Sequence, residues 1–322
     1  TRVRSSAASD VYKRQVYAIE DSGGFTLIDS GEVMAEARGQ LESSLKELGA
    51  GLADVRQFLV THAHRDHYTQ AVAVRREFGT RVSLGAGERP SLQAAADPAV
   101  PAYREQLADL RRNGAAELAD QILPLLAEET VPPTAWEQPD TWLESGAVLP
   151  VGQRRLDARE TPGHTRGHLV YFEHRDRLLF AGDHILPHIT PSIGLEPATV
   201  ASPLGDYLRS LRDVRTLPDA RLLPAHGPVA SSSHARIDEL LIHHDIRLQA
   251  IAAAVEDGAR TALDVSRVLL WTRRNRAFGT LAPFHQMLAV TETVYHLRLL
   301  TTQGRLTGGE QDGVINYAPV VG

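Results

Sequence analysis

Apolar residues recur along the first part of the chain with two different spacings, which predict where strands and helices alternate. Two short apolar runs over 16–28 flank Ser22-Gly23-Gly24, a pattern that is typical of a β-hairpin. Residues 33–48 then carry an apolar side chain at every third or fourth position, which predicts an amphipathic helix. A strand, helix, strand pattern follows over 58–84, so we predict an α/β fold.

The pattern changes twice further along the chain. Residues 86–145 are rich in proline and helical over 103–126, which we interpret as a helical insertion, either a pocket lid or a packing excursion. Strand patterns resume between 155 and 223. Beyond Pro228, the chain predicts a small winged-helix-like domain with helices at 237–255, 262–272 and 287–300 and a hairpin at 306–317.

We therefore predict a main domain over 16–235, with the insertion at about 86–145, and a C-terminal domain over 236–322. Residues 1–15 resemble translated sequencing-adapter read-through and lack the apolar core of a signal peptide, so we expect a non-native leader there. The chain has no run of roughly 18 apolar residues, so we expect no transmembrane helix and a cytoplasmic location.

The 322-residue chain has an ordinary globular composition, with 43% hydrophobic and 23% charged residues. Its formal net charge of -6 argues against non-specific binding to nucleic acid or to an anionic membrane. The absence of cysteine excludes disulfides, cysteine-ligated metal clusters and thiol nucleophiles.

Four side chains that can bind a metal follow the strand pattern at 58–60. They are His62, His64, Asp66 and His67. Alternate residues of an extended segment face the same way, so His62 and His64 can reach one metal. After the chain turns, Asp66 and His67 can face a second metal. Imidazole and carboxylate ligands suit zinc, iron(II) or manganese.

Three further candidate ligands lie at strand ends or in turns. They are His164 in a Gly-rich turn, Asp183 after the strand that ends in Ala-Gly, and His226 after Leu-Pro-Ala. Loops that a rigid sheet holds at its strand ends are common positions for catalytic groups.

Taken together, these motifs resemble those of the metallo-β-lactamase-fold hydrolase superfamily over about residues 16–230. The resemblance implies a four-layer αββα fold and two divalent metal ions, with zinc expected and iron or manganese as alternatives. It implies that one metal is bound by His62, His64 and His164, that the other is bound by Asp66, His67 and His226, and that Asp183 bridges both.

Asp183 stands where the main class of antibiotic-hydrolysing members carries cysteine, which argues against β-lactam hydrolysis. The aspartate form resembles glyoxalase-II-like thioesterases, lactonases and metal-dependent nucleases. With the winged-helix-like segment and the stretch 182–191, it resembles the LACTB2-like branch of these hydrolases. Tyr68-Thr69-Gln70 departs from the small residue that usually follows the first motif.

The resemblance leads us to expect a dinuclear metal-dependent hydrolase in which a bridging hydroxide attacks a small ester-, thioester- or lactone-like substrate. In that mechanism, Asp66 ligates the second metal and transfers a proton, and Asp183 holds the two metals close together. We therefore predict that these two aspartates are the catalytic residues.

Four other residues are candidates for support of the site or for its pocket. Asp29 is expected to fix the tautomer of a ligand histidine through a hydrogen bond. His168 has either a structural or a substrate role, and His184 and His188 either line the pocket or lie on the surface. His243-His244 on the long C-terminal helix is interpreted as solvated.

Two alternative functions stay open. The LACTB2-like resemblance allows a metal-dependent endoribonuclease, and a non-enzymatic nucleic-acid-binding regulator is the least favoured. Nine arginines and nine carboxylates leave 236–322 with zero net charge, which disfavours nucleic acid as a partner. We expect a small-molecule substrate, no membrane partner and, as an option, a homodimer. The sequence names neither the substrate nor the metal.

Overall fold

The computed structural model describes residues 15–21, 23–101, 103–127, 131–198, 200–272 and 274–320. The strands in these ranges are β1 (Tyr17–Asp21), β2 (Gly24–Ile28), β3 (Val55–Leu59), β4 (Arg81–Gly85), β5 (Thr141–Leu143), β6 (Val148–Val151), β7 (Arg154–Glu160), β8 (Leu169–Glu173), β9 (Leu178–Gly182), β10 (Arg221–Pro224), β11 (Leu270–Trp271), β12 (Arg276–Ala277), β13 (Leu306–Gln311) and β14 (Val314–Pro319). The helices are α1 (Ala35–Glu47), α2 (Arg65–Phe78), α3 (Arg89–Ala96), α4 (Arg104–Arg112), α5 (Ala116–Ala127), α6 (Pro203–Arg215), α7 (Ser233–Glu256), α8 (Ala262–Val268) and α9 (Pro283–Thr302).

Two five-stranded sheets form the centre of the fold. The first has the order β1-β2-β3-β4-β5, with an antiparallel β1–β2 hairpin and parallel pairs from β2 to β5. The second has the order β10-β9-β8-β7-β6, in which the β10–β9 pair is parallel and the other pairs are antiparallel. Side chains of both sheets share one buried cluster, so the sheets stack face to face.

The alternation of side chains along each strand explains why the first sheet is covered on both faces. Leu59 of β3 joins the cluster between the sheets, whereas its neighbour Phe58 packs on the opposite face. There Phe58 lies in one cluster with Leu45 of α1 and with Tyr68 and Val72 of α2. The stacked sheets and their helices confirm the predicted α/β class and the αββα fold.

Several predicted elements are split or extended in the structure. The predicted helix over 103–126 is two helices, α4 and α5, because Gly114 adopts a positive φ of 84° between them. The predicted helix over 262–272 ends at Val268, and the β11–β12 hairpin follows. The predicted insertion over 86–145 includes β5, which is an edge strand of the first sheet.

The chain divides into two compact units. The described residues of 1–99, 131–191 and 206–238 form the first unit, which contains both sheets. Residues within 100–130, 192–205 and 239–322 form the second, so α4 and α5 cluster with the C-terminal helices. The likeness of 236–322 to a winged helix stays a prediction. Each helix in the described ranges is too short or too polar to cross a membrane.

The second unit contains a buried histidine pair that the sequence analysis missed. His244 and His296 are each 1% exposed, their rings stack at 5.3 Å, and His244 Nδ1 lies 3.2 Å from His296 Nε2. His244 is therefore not solvated, although His243 is exposed, because consecutive helix residues point about 100° apart. Burial lowers the pKa of His244 well below its ordinary value and that of His296 to about 4.

The predicted non-native leader falls on residues 1–14, outside the described residues, and on Gln15. Gln15 is buried, and its backbone N–H donates to the Ala225 carbonyl at 2.7 Å. Its side-chain amide donates to the Gly227 carbonyl, and the Tyr17 hydroxyl donates to its carbonyl oxygen. Gln15 thus braces the loop that carries His226.

Candidate metal centre

The first ligand group forms where β3 gives way to α2. The chain leaves the buried strand through His62, and His64 is the N-cap of α2 with extended backbone angles. His164, from the loop between β7 and β8, completes the group. Its Nε2 lies 3.2 Å from His62 Nε2 and 3.0 Å from His64 Nδ1. One group therefore draws side chains from the ends of both sheets.

The second ligand group begins in the first turn of α2. That helix begins at Arg65, so Asp66 and His67 turn away from the preceding extended segment. His226 joins them from the loop after β10. Asp66 Oδ2 lies 3.4 Å from His67 Nε2 and 3.6 Å from His226 Nε2. This group thus joins the helix that follows β3 of the first sheet to the loop that follows β10 of the second.

Asp183, directly after β9, lies between the two groups. Its Oδ2 is 3.6 Å from His164 Nε2 in the first group. Its Oδ1 is 3.6 Å from His67 Nε2 and 3.4 Å from His226 Nε2 in the second. One carboxylate thus offers a separate oxygen to each group, a geometry that a bridging ligand can use.

The donor atoms of these groups fit divalent metal ions. Among the described residues, His67 Nε2 and Asp183 Oδ1 are buried without a hydrogen-bond partner. Leaving such an atom unpaired costs about 1–3 kcal/mol, which a cation between the two would remove. A set of imidazole nitrogens and carboxylate oxygens without sulfur suits zinc, iron or manganese. The structure brings the seven predicted ligands together, and their binding of metal stays a prediction.

Electrostatic effects differ between the groups. Burial lowers the pKa of His62 well below its ordinary value, and the neighbouring imidazoles lower it further. Burial acts in the same direction on His67, but Asp66, Asp29 and Asp183 outweigh it and raise the pKa well above 6.5. The electrostatic potential at the second group therefore favours a positive charge more than the potential at the first group does.

Asp29 supports the second group from behind. It is 3% exposed, and its carboxylate accepts bonds from the Thr61 backbone N–H at 2.8 Å and hydroxyl at 3.0 Å. Its Oδ2 lies 3.0 Å from His67 Nδ1. A proton on Nδ1 satisfies this contact, which leaves Nε2 of His67 free to face Asp66 and Asp183. This contact has the geometry expected of a residue that fixes the tautomer of a ligand histidine.

His168 has a structural position. Its ring is fully buried, its Nδ1 lies 2.8 Å from the Thr161 hydroxyl, and its Nε2 accepts the backbone N–H of Asp183 at 3.2 Å. Burial lowers its pKa, which favours the neutral ring that this acceptor role needs. Of the two roles left open, the structure favours support of Asp183 over contact with substrate.

His184 and His188 lie in contrasting surroundings. His184 is fully buried, with its ring 5.2 Å from that of Tyr207, and burial lowers its pKa to about 3. His188 is exposed, and its Cδ2 would lie 3.9 Å from a Cβ placed on Gly227, next to the ligand His226. Of the two, only His188 is exposed to solvent, close to the loop that carries His226.

Two glycines allow the ligand loops to pack this closely. Gly182, with φ of 49°, precedes Asp183, and a Cβ there would lie 2.7 Å from His168 Nε2. Gly163, with φ of 140°, precedes His164, and a Cβ there would lie 2.5 Å from Tyr207 Cα. Both positions need the conformational freedom and the small size of glycine.

Comparisons with known proteins agree with this geometry. The model of the metallo-beta-lactamase superfamily matches residues 10–226. A solved metallo-beta-lactamase family protein from Thermus thermophilus is 29% identical, with a TM-score of 0.78 over 99% of this chain and 98% of that chain. A beta-lactamase domain protein from Burkholderia ambifaria is 27% identical, with a TM-score of 0.75 over 95% and 87% of the two chains.

Two sequence relatives differ in how much of their length is matched. The "Beta-lactamase-like protein 2 homolog" of Caenorhabditis elegans is 31% identical over 126 residues, which is 39% of this chain and 40% of that protein. The "Probable metallo-hydrolase YqjP" of Bacillus subtilis is 23% identical over 303 residues, 91% of this chain and 89% of that protein. The chain thus spans less than half of the nematode protein's length. Because the family model covers more than half of the chain, the chain belongs to the metallo-β-lactamase superfamily, whose members are generally metal-dependent hydrolases.

Proposed function

We propose that this protein is a dinuclear metal-dependent hydrolase of small ester-, thioester- or lactone-like substrates. The observation that carries the proposal is the carboxylate of Asp183, whose two oxygens face separate ligand groups. Each group contributes three side chains with ligand atoms that lie within 4.8 Å of one another. Zinc is the cation we propose, and iron or manganese would use the same ligands.

Divalent cations held by these residues would lower the pKa of a bound water towards about 7, which would make hydroxide available at neutral pH. The residues around them set the direction of approach. His62, His67 and His164 are buried, whereas His64, Asp66 and His226 are partly exposed. Substrate therefore reaches the site from the side of the partly exposed ligands, where the Asp66 carboxylate can accept a proton released during hydrolysis.

The substrate class rests on position 183. With aspartate at this position, the chain resembles thioesterases and lactonases more than antibiotic-hydrolysing enzymes. The endoribonuclease that the LACTB2-like resemblance allows stays in the test as the alternative. Cleavage of a phosphodiester could use the same ligand arrangement, so the substrates must be compared directly.

The test combines metal content with turnover of a thioester, a lactone and a single-stranded RNA. The wild-type protein should bind two metal ions, lose activity to a chelator and regain it on reloading. Asp183→Asn removes the negative charge between the groups. We expect at least about a 100-fold loss of kcat/KM, since a metal centre supplies several kcal/mol of transition-state stabilisation.

Asp157→Asn is the matched control, because Asp157 is a partly buried aspartate that pairs with His174 at 2.7 Å. It should retain wild-type turnover. Unchanged turnover in Asp183→Asn, or full activity after complete metal removal, would refute the proposed mechanism. Cleavage of RNA alone would replace the proposed substrate class with the alternative.

A further inference from the structure

A fully buried glutamate lies beside the loop that carries His164. Glu88 follows β4 in the short turn Ala86–Glu88, and its exposed fraction is 0%. Glutamate is rarely this buried unless its carboxylate is paired. Its Oε1 accepts a hydrogen bond from the Thr165 hydroxyl and another from the backbone N–H of Gly167 at 3.2 Å. Both donors belong to the ligand loop between β7 and β8.

The backbones of the two segments touch at this point. A Cβ on Gly85 would lie 2.2 Å from the Gly167 carbonyl oxygen, and one on Gly87 would lie 2.7 Å from Gly167 Cα. A Cβ on Gly167 would lie 2.1 Å from the Glu88 nitrogen. Three glycines therefore let the turn after β4 seat directly against the ligand loop, which leaves no room for an intervening side chain.

The ligand loop is short and closed at its base. Thr161 donates its backbone N–H to the His168 carbonyl at 2.8 Å, and Gly163 donates to the Thr165 carbonyl at 3.0 Å. His164 lies at the tip of this closure, next to Thr165, whose side chain is fully buried. A contact that fixes Thr165 therefore also fixes the backbone from which the His164 imidazole projects.

We propose that Glu88 is a positioning residue that sets the place of His164 through Thr165. This inference rests on the proposed function and deepens it, because it assigns control of one ligand group to a residue outside both groups. The second group draws on α2 and on the loop after β10, whereas the bonds of Glu88 to Thr165 and Gly167 reach the loop that carries His164. Loss of the Glu88–Thr165 bond should therefore weaken the first metal site and spare the second.

The experiment uses paired variants that differ in one bond. Thr165→Val removes the hydroxyl while keeping the shape, and Thr165→Ser restores it. Glu88→Met removes the acceptor, and Glu88→Gln keeps Oε1. Thr80→Val is the control, since Thr80 is a buried threonine at the opposite end of β4 whose hydroxyl donates to the Val55 carbonyl at 3.0 Å.

Metal affinity at each site, measured by competition with a chromophoric chelator, should fall about 10-fold at the first site in Thr165→Val and Glu88→Met. The second site should keep its affinity, and Thr165→Ser, Glu88→Gln and Thr80→Val should resemble the wild type. Equal weakening of both sites, or an unchanged first site in Thr165→Val, would overturn the inference.

A crystal structure of metal-free Thr165→Val separates this inference from the proposed function. We expect the His164 imidazole to move by at least about 0.5 Å relative to His62 and His64, the tolerance of a preorganised site. If His164 is displaced in the variant and the wild-type protein fails to bind metal when metal is supplied, the positioning role would be supported and the hydrolase proposal refuted. An unmoved His164 beside two normal metal sites would refute the positioning role and leave the hydrolase proposal standing.

Discussion

Substitution of Asp29 gives a graded prediction, because its carboxylate accepts three bonds from two buried residues. Asp29→Asn can keep the bonds from Thr61, but its amide would face a protonated His67 Nδ1. The Nδ1–H group of His67 would then lose its acceptor. We expect a loss of about 2 kcal/mol in the metal-free protein, the value of one bond to a charged acceptor.

Asp29→Ala should cost more. It leaves the Thr61 N–H and the His67 Nδ1–H buried and unpaired, at about 1–3 kcal/mol each. Asp29 also has φ of 60°, a left-handed conformation that aspartate and asparagine tolerate and that costs alanine roughly 1 kcal/mol. The sum is about 5 kcal/mol. Of the three groups that donate to Asp29, only the Thr61 hydroxyl has another hydrogen-bonding neighbour described, His62 Nδ1 at 3.0 Å.

Urea unfolding of the chelator-treated proteins measures these free energies, and chelator competition measures metal affinity. Affinity at the second site should fall about 10- to 100-fold in Asp29→Asn, as for other residues that orient a ligand histidine. Asp219→Asn is a suitable control, because Asp219 also accepts several bonds, from Ser232 and from the His234 backbone. Wild-type stability in Asp29→Ala, or wild-type affinity in Asp29→Asn, would refute this account.

Two further predictions concern the loop of His164 and the second unit. Gly163→Ala should destabilise the protein by about 3 kcal/mol, since the added Cβ would meet the Tyr207 backbone. Gly146 also has a positive φ but has open space around it, so Gly146→Ala should cost about 1 kcal/mol. Equal losses of unfolding free energy in urea would contradict this prediction. The second unit should lose stability as pH falls from about 6.5 towards 4. The folded-state pKa of His296, about 4, lies below the unfolded value of 6.5, so the unfolded chain binds the proton first. The loss is at most about 1.4 kcal/mol per pH unit for each proton. His244→Phe combined with His296→Leu should flatten the dependence of unfolding free energy on pH between about 7 and 5, and an unchanged slope would contradict the prediction.

The parts of the site that the sequence predicts are those encoded by neighbouring residues. The motif from His62 to His67 places four ligands within a short stretch of backbone, and the change from strand to helix separates them into two groups. His164, Asp183 and His226 are also predictable, because each follows a strand and sheets bring strand ends together. The alternation of strands and helices predicts the α/β class, whereas the stacking of two sheets is what the resemblance to the superfamily implies.

Other features depend on contacts between distant segments and leave no local signal. Glu88 stands in a short turn between glycine and arginine, and its burial depends on Gly167, which lies 79 residues away. His244 carries the same polar pattern as His243, and only its contact with His296 of another helix shows that it is buried. The clustering of 100–130 with 239–322 is likewise a property of tertiary packing.

Each ligand group joins a segment that follows β3 of the first sheet to a loop of the second sheet, so bound cations would link the two sheets. Separation of the sheets would require release of the ions, and their affinity would add directly to mechanical and proteolytic resistance. At a free metal concentration about 100 times Kd, one site would add about 2.7 kcal/mol to the free energy of unfolding. The supply of metal would then affect the lifetime of the protein as well as its activity, because metal-free molecules would unfold more readily and be degraded sooner.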